Sequence, residues 1–246
     1  MGQPHNPEGA VQPRRLTILV TRPQPQADRF AALCRARFEA APIVVAPLIR
    51  IEERPLGAMP EGVRGLIFTS EAGVKAFAAQ CARRDLPAWC VGERTASAAR
   101  AAGFTALAAG GTARALVEMI VAAAPPGPLL HLRGVHAACD VASVLARRGV
   151  PADAAVIYDQ LAQPLTPRAR ELLRCASGAV VAPVFSPRSA RMLAQAAANA
   201  RAVLRPVAIS ANAAQAWAEY RDDPVLVAAG PHADAVLDAM AQAMQG

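Results

Sequence analysis

A two-domain α/β fold is predicted by three features of the sequence: a strand–loop–helix pattern that recurs along the chain, a gapless internal repeat, and a core alphabet short of aromatics. Hydrophobic residues make up 54% of the 246 positions and aromatics only 4%, so the cores are layers of Ala, Val, Leu and Ile. That composition suits parallel sheets covered on both faces by Ala-rich helices. The length accommodates either one large α/β domain or two smaller ones, and the repeat decides for two.

The first unit is "LTILVTRPQPQADRFAALCRARF": an apolar run from Leu16 to Thr21, a turn holding Pro23 and Pro25, then apolar residues at helical spacing that include Phe30 and Leu33. The same order recurs in "GLIFTSEAGVKAFAAQCARR", "AWCVGERTASAARAAGF", "LLHLRGVHAACDVASVLARRG", "GAVVAPVFSPRSARMLAQAA" and "RPVAISANAAQAWAEY". "LAAGGTARALVEMI" from Leu107 aligns without a gap on "VAAGPHADAVLDAM" from Val227. Ser70 in "FTSEAGVKAF" then matches Ser186 in "VFSPRSARML", Gly92 matches Ser210, and Arg22 matches Arg133. Asp28 and Asp140 are read as structural acids at matching helix positions.

Between the Arg-strand and the Ser-strand of each copy lies an extended stretch without a helix of its own, "IVVAPLIRIEE" and "AAVIYDQLAQP". If both stretches cross between lobes, each copy's Arg-strand joins the other copy's sheet. The expected division is a disordered tail at 1–14, one lobe from 15–46 plus 163–246, linker strands at 47–51 and 156–162, and a second lobe at 52–155. A single ten-strand sheet is the competing arrangement, and open sheets of that size are less common.

No apolar run reaches the roughly 20 residues of a membrane helix, and the first fourteen residues, with three prolines and no apolar core, do not read as a secretory signal. A soluble cytoplasmic protein is expected. Cys34, Cys81, Cys90, Cys139 and Cys175 are odd in number and widely spaced, and read as reduced, buried thiols without zinc spacing. The formal charge of +7 rests almost wholly on scattered arginines, since Lys75 is the only lysine. Without a basic cluster or interleaved aromatics this does not describe a nucleic-acid module; genome bias or a small polyanionic substrate accounts for it.

Ligands of parallel α/β sheets sit outside the carboxyl ends of the strands, where loops offer free N–H groups. The polar signals fall there: Thr69 and Ser70, Gly92 to Thr95, Arg133 and Gly134, Ser186 to Arg188, and Ser210 to Asn212. Any one of these hydroxyls is explained by helix capping; five such loops together describe an anion site. No nucleotide loop, triad or metal spacing competes, and His131 reads as core or cleft wall.

The series "VTRP", "GLIFTSEAGV", "CVGERTA", "LLHLRG", "VIYDQ" and "FSPRSA", from about Leu16 to Met244, resembles the uroporphyrinogen-III synthase family of tetrapyrrole biosynthesis. The resemblance implies two flavodoxin-like parallel-sheet lobes joined by a two-stranded linker ladder. It also implies a cofactor-free and metal-free lyase that closes hydroxymethylbilane, a linear tetrapyrrole bearing acetate and propionate chains, with inversion of ring D and loss of water. Departure of the hydroxyl leaves an azafulvene cation, which joins the substituted carbon of ring D in a spiro intermediate that fragments and recloses.

Carried over residue by residue, the resemblance implies substrate contacts at Thr69, Ser70, Gly92, Thr95, Arg133, Gly134 and Ser186, with Arg188, Ser210 and Asn212 beside them. Arg22 is either a carboxylate partner or a structural ion-pair residue. Tyr158, matching the family's linker tyrosine, either assists loss of the hydroxyl or packs in a ladder strand. One departure stands out: the second copy's counterpart of "VGERTA" is "ISANAAQA", with Ser210 and Ala213 where relatives often carry Gly and Thr. That leaves a non-catalytic tetrapyrrole-binding relative as the alternative. A monomer, supplied by the upstream deaminase, is expected.

Overall fold

The computed structural model describes residues 15–137, 139–175 and 178–245; the tail expected at 1–14 lies outside the described residues. In chain order the elements are β1 (Arg15–Val20), α1 (Gln26–Arg37), β2 (Ile43–Val45), β3 (Ile49–Glu53), β4 (Gly65–Phe68), α2 (Glu71–Gln80), β5 (Ala88–Cys90), α3 (Glu93–Ala101), β6 (Ala106–Ala108) and α4 (Ala113–Ala123). They continue with β7 (Leu129–Gly134), α5 (Val141–Arg147), β8 (Ala152–Ala162), α6 (Pro167–Arg174), β9 (Gly178–Val184), α7 (Pro187–Ala196), β10 (Val203–Ala208), α8 (Ala211–Ala218), β11 (Leu226–Val227) and α9 (Ala233–Gln245).

The strands form two sheets, ordered β11-β10-β9-β1-β2 and β3-β8-β7-β4-β5-β6. β1 stands between β9 and β2, and β7 between β4 and β8, all parallel, so each Arg-strand lies in the sheet of the other copy's Ser-strand. The described residues up to Arg50 and from Ala162 form one compact unit, and Ile51–Leu161 the other. Both crossings run through β3 and β8. Arg54 N–H donates to Ile157 O and Gln163 N–H to Leu48 O; a constant sum of residue numbers across both bonds marks the pair as antiparallel.

Alternate residues of the central strands feed opposite cores, which is why these strands read as unbroken apolar runs. In β9, Val180, Ala182 and Val184 pack with α6, α7 and α8, while Val181 packs with α1 and α9. In β4, Leu66 and Phe68 join Val74, Phe77 and Ala96, while Ile67 joins Leu116, Val141 and Leu145 of α4 and α5.

Three sequence expectations change, and one element is added: after the second linker Thr166 caps α6 by accepting from Ala169 N–H, with Pro167 in the first turn. Leu33 is 43% exposed; the inward stripe of α1 is Ala27, Phe30, Ala31 and Cys34, and position 33 falls off it. Among the cysteines, Cys34 and Cys90 are buried, Cys81 and Cys139 are half-buried, and Cys175 is exposed where α6 ends. Asp140 is the N-cap of α5, whereas Asp28 lies inside the first turn of α1, so the two acids are not equivalent. Among the described residues no helix is long and apolar enough to cross a membrane.

Candidate functional site

The site is built at the carboxyl ends of β4, β7 and β8. The chain leaves β4 through Thr69 and Ser70, and Ser70 adopts extended geometry as the N-cap of α2. Its Oγ accepts the Gly73 N–H at 3.2 Å and is hydrogen-bonded to the Tyr158 Oη at 2.8 Å. The local capping interaction thereby becomes a bond across the sheet.

Tyr158 reaches Ser70 because of two local features. Along β7 and β8 the pairing Arg133 with Val156 is followed by Gly134 with Tyr158, so β8 carries one extra residue and its direction is re-aimed. The ring then lies directly on Gly134: a Cβ there would stand 2.6 Å from Cε2 and 2.7 Å from Cζ. Gly73 closes the other side, where a Cβ would be 2.8 Å from the Leu132 carbonyl and 3.7 Å from Cε1 of Tyr158. Next along β8, Asp159 accepts from Arg54 at 2.6 Å, which ties this part of the strand to the end of β3.

Above this pair opens a cavity of about 260 Å³, lined among others by Thr69, Ser70, Gly134, His136, Tyr158 and Gln160. Thr69 Oγ1 lies 3.2 Å from the Nε2 of His131. His131 is fully buried, and burial first, then the charge of Arg133, pushes its pKa down to about 4, so the ring is neutral. Arg133 donates from Nη1 to the carbonyl of Gly134 at 3.0 Å, and so shapes the turn that leaves β7.

Thr69, Ser70, Gly134 and Tyr158 are thus brought together. Gly92 and Thr95 lie in the same lobe but not in the cavity wall: Gly92 caps α3 against Gly111, where a Cβ would meet the Gly111 Cα at 3.2 Å, and Thr95 is buried. Arg22, Ser186, Arg188, Ser210 and Asn212 belong to the other lobe. There the Arg22 guanidinium covers the Phe185 ring at 3.9 Å, Ser186 is held in a capping box with Ser189, Ser210 caps α8, and Asn212 is exposed in its first turn. The reading of single hydroxyls as helix caps therefore holds for Ser70, Ser186 and Ser210, and of these Ser70 alone faces the cavity.

Sequence reasoning missed Gly73 as a site residue and took His131 only for wall or core. A glycine three residues into α2, where the other copy has Ser189, was the available signal for Gly73. Among the described residues no cluster of three or more His, Cys, Asp or Glu side chains is placed to hold a metal ion.

A family model for uroporphyrinogen-III synthase HemD matches residues 28–238. The chain belongs to the uroporphyrinogen-III synthase family. Among solved structures it is similar to the uroporphyrinogen-III synthetase of Helicobacter pylori, with TM-score 0.66 and 18% identity over 93% of this chain and 99% of that one. It is also similar to a mutant uroporphyrinogen III synthase of the extremely thermophilic bacterium Thermus thermophilus, with TM-score 0.53 and 17% identity over 94% of this chain and 98% of that one. At such identities these two likenesses establish the uroporphyrinogen-III synthase fold and not the site. No curated protein matches the chain.

Proposed function

We infer that the protein closes hydroxymethylbilane to uroporphyrinogen III, with loss of water and inversion of ring D, and that Tyr158 assists departure of the hydroxyl. The observation carrying this is the Ser70–Tyr158 hydrogen bond at the wall of the one-lobe cavity. Ser70 Oγ already accepts the Gly73 N–H, so its own proton is free to go to the Tyr158 Oη. Tyr158 then presents its proton to the leaving hydroxyl, and charge gathering on the phenol oxygen is supported by the Ser70 hydroxyl and by the amino end of α2.

Loss of the hydroxyl is only half of the task, because the linear substrate also cyclises unaided to the type I isomer. The protein must hold the chain so that ring D presents its substituted carbon, which is catalysis by positioning. A hundredfold preference for type III requires about 2.7 kcal/mol of differential transition-state binding. One or two charge-assisted hydrogen bonds to the substrate carboxylates supply that. Thr69 and the Gly134 turn stand nearest the cavity for this purpose. Gly92, Thr95, Arg133, Arg22, Ser186, Arg188, Ser210 and Asn212 remain proposed carboxylate-grip positions on the family resemblance. The protein is proposed to work in the cytoplasm as a monomer, receiving its substrate from the upstream deaminase.

A coupled assay tests the reading: a deaminase generates hydroxymethylbilane, the protein is added, and the oxidised porphyrins are separated into type I and type III. Dominant type III product supports it; type I alone, despite tetrapyrrole binding, makes the chain a non-catalytic relative.

A further inference from the structure

His131 is a buried polar group behind the cavity wall that the catalytic reading leaves unused. It lies opposite Ile67 in the β7–β4 pairing and shares a strand face with Leu129, which packs with Ile67, Leu116 and Val141. From this buried position its Nε2 meets Thr69 Oγ1, and Thr69 lines the cavity. The other ring nitrogen, Nδ1, is buried and has no hydrogen-bond partner among the described residues.

A neutral imidazole carries one N–H, so there are two arrangements. Either Thr69 donates to a bare Nε2 and leaves a buried Nδ1–H with no acceptor, or Nε2–H donates to Thr69 and leaves a bare lone pair on Nδ1. Two observations favour the second. Arg133, two residues along on the same face, acts on this ring more strongly than the opposing carboxylate of Asp140, and its positive charge favours the lone pair over an N–H. The Nε of Arg133 is also buried without a partner, and as a donor it complements a bare Nδ1 and not a second N–H.

We propose that His131 is a positioning residue, whose Nε2–H occupies the Thr69 oxygen and thereby fixes the Thr69 hydroxyl as a hydrogen-bond donor into the cavity, toward a carboxylate oxygen of the substrate. The proposal rests on the catalytic reading for the identity of the acceptor, and on the buried geometry alone for the direction of the Thr69 hydrogen bond. A hydroxyl free to rotate would meet an anion as donor in only a fraction of its orientations, so the ring pre-organises recognition.

Two experiments separate the parts. Nitrogen-15 NMR of histidine-labelled protein, with the His131 signals assigned by their loss in His131→Gln, should show the Nε2–H tautomer; an Nδ1–H tautomer overturns the proposal whether or not the protein is active. In the coupled assay, His131→Leu should raise KM roughly threefold to tenfold with kcat within about twofold, and His131→Gln, whose amide N–H reaches the same place, should restore KM to within about twofold. The Thr69→Val variant should remove the effect, so that His131→Leu on that background changes KM by less than about twofold. Equal KM increases on both backgrounds would make His131 merely structural. Absence of type III product from the unaltered protein would instead sink the catalytic reading and leave the tautomer result standing.

Discussion

Ser70 and Ser186 begin equivalent helices in the two copies, yet their hydroxyls lead to opposite outcomes. Ser186 Oγ accepts from Ser189 N–H, and the Ser189 hydroxyl bonds back to the Ser186 backbone, which closes a capping box. Gly73 occupies the matching third position in α2 and has no side chain to return, so Ser70 bonds outward to Tyr158. Carrying the strand registers through both sheets sets Val20 against His131, Phe185 against Thr69, Pro23 against Gly134 and Leu48 against Tyr158. At these positions one lobe is apolar or self-satisfied where the other carries the residues that line or back its cavity. The frame is common to both copies, and among these matched positions the Ser–Tyr and Thr–His pairs occur in one.

The sharpest way to break this contrast is Gly134→Ala. The added methyl meets the Tyr158 ring at 2.6 Å, and the ring must shift by about an ångström. Such a displacement costs roughly a hundredfold in kcat, together with about 1–3 kcal/mol of stability from overpacking. An unchanged rate of type III formation would mean that Tyr158 is not where catalysis needs it.

Acid should separate the lobes next. His131 has its pKa lowered from 6.5 to about 4, so between these values the unfolded chain takes up a proton that the folded chain refuses. Stability is therefore unaffected above about pH 6.5 and falls as pH drops toward 4, by an amount on the order of 3 kcal/mol. Val20 at the equivalent place contributes nothing of the kind. Each lobe holds one of the two tryptophans, Trp89 and Trp217, so single-tryptophan variants in urea can follow the lobes separately. The contrast fails if the Trp217 lobe loses as much stability to acid as the Trp89 lobe, or if His131→Gln leaves the slope intact.

Tyr158→Phe removes a hydroxyl and little packing, and should lower kcat about tenfold to a hundredfold while the lost Ser70 hydrogen bond lowers the melting temperature by only a few degrees, about 1 kcal/mol. A wild-type rate would return Tyr158 to a packing role. Gly73→Ser places the residue of one lobe into the other: the new Cβ crowds the Leu132 carbonyl at 2.8 Å and the new hydroxyl competes for Ser70. About tenfold in kcat and about 1–3 kcal/mol of stability should be lost together. The mildest outcome is expected from Ser186→Ala, which loses a cap worth about 1 kcal/mol and one proposed grip on a substrate carboxylate, so KM rises severalfold at most while kcat stays within about twofold. A large fall in kcat there would give the second serine loop a part in the chemical step beyond that grip.

The frame was legible because parallel strands buried on both faces leave long apolar runs, and because two copies of one plan expose their own register. α6 escaped notice because "TPRARELLR" is polar over most of its surface and buries only Ala169 and Leu173. In the site, Thr69, Ser70, Gly134 and Tyr158 could be named from loop position and family likeness. The bond between Ser70 and Tyr158 spans 88 residues, and that between Thr69 and His131 spans 62. Contacts of that range depend on strand order and on a one-residue bulge, which no local pattern reports. Gly73 was invisible for the same reason, since its necessity is set by the carbonyl of Leu132 on a neighbouring strand.

The exchange of Arg-strands imposes an order on the ribosome. The lobe from Ile51 to Leu161 has all its strands once Leu161 has been made, whereas β1 needs β9 beside it, and the sheet around it is not complete through β10 until Ala208. At about 5–20 residues per second, the first strand of the nascent chain waits roughly 2 to 10 seconds beyond completion of its neighbour lobe before its own sheet can form. For the first part of that interval, until Val184 is made, Ile18, Leu19 and Val20, which the finished sheet buries completely, lack their partner strand β9, so the birth of this molecule, more than its finished state, is where a chaperone would be of use.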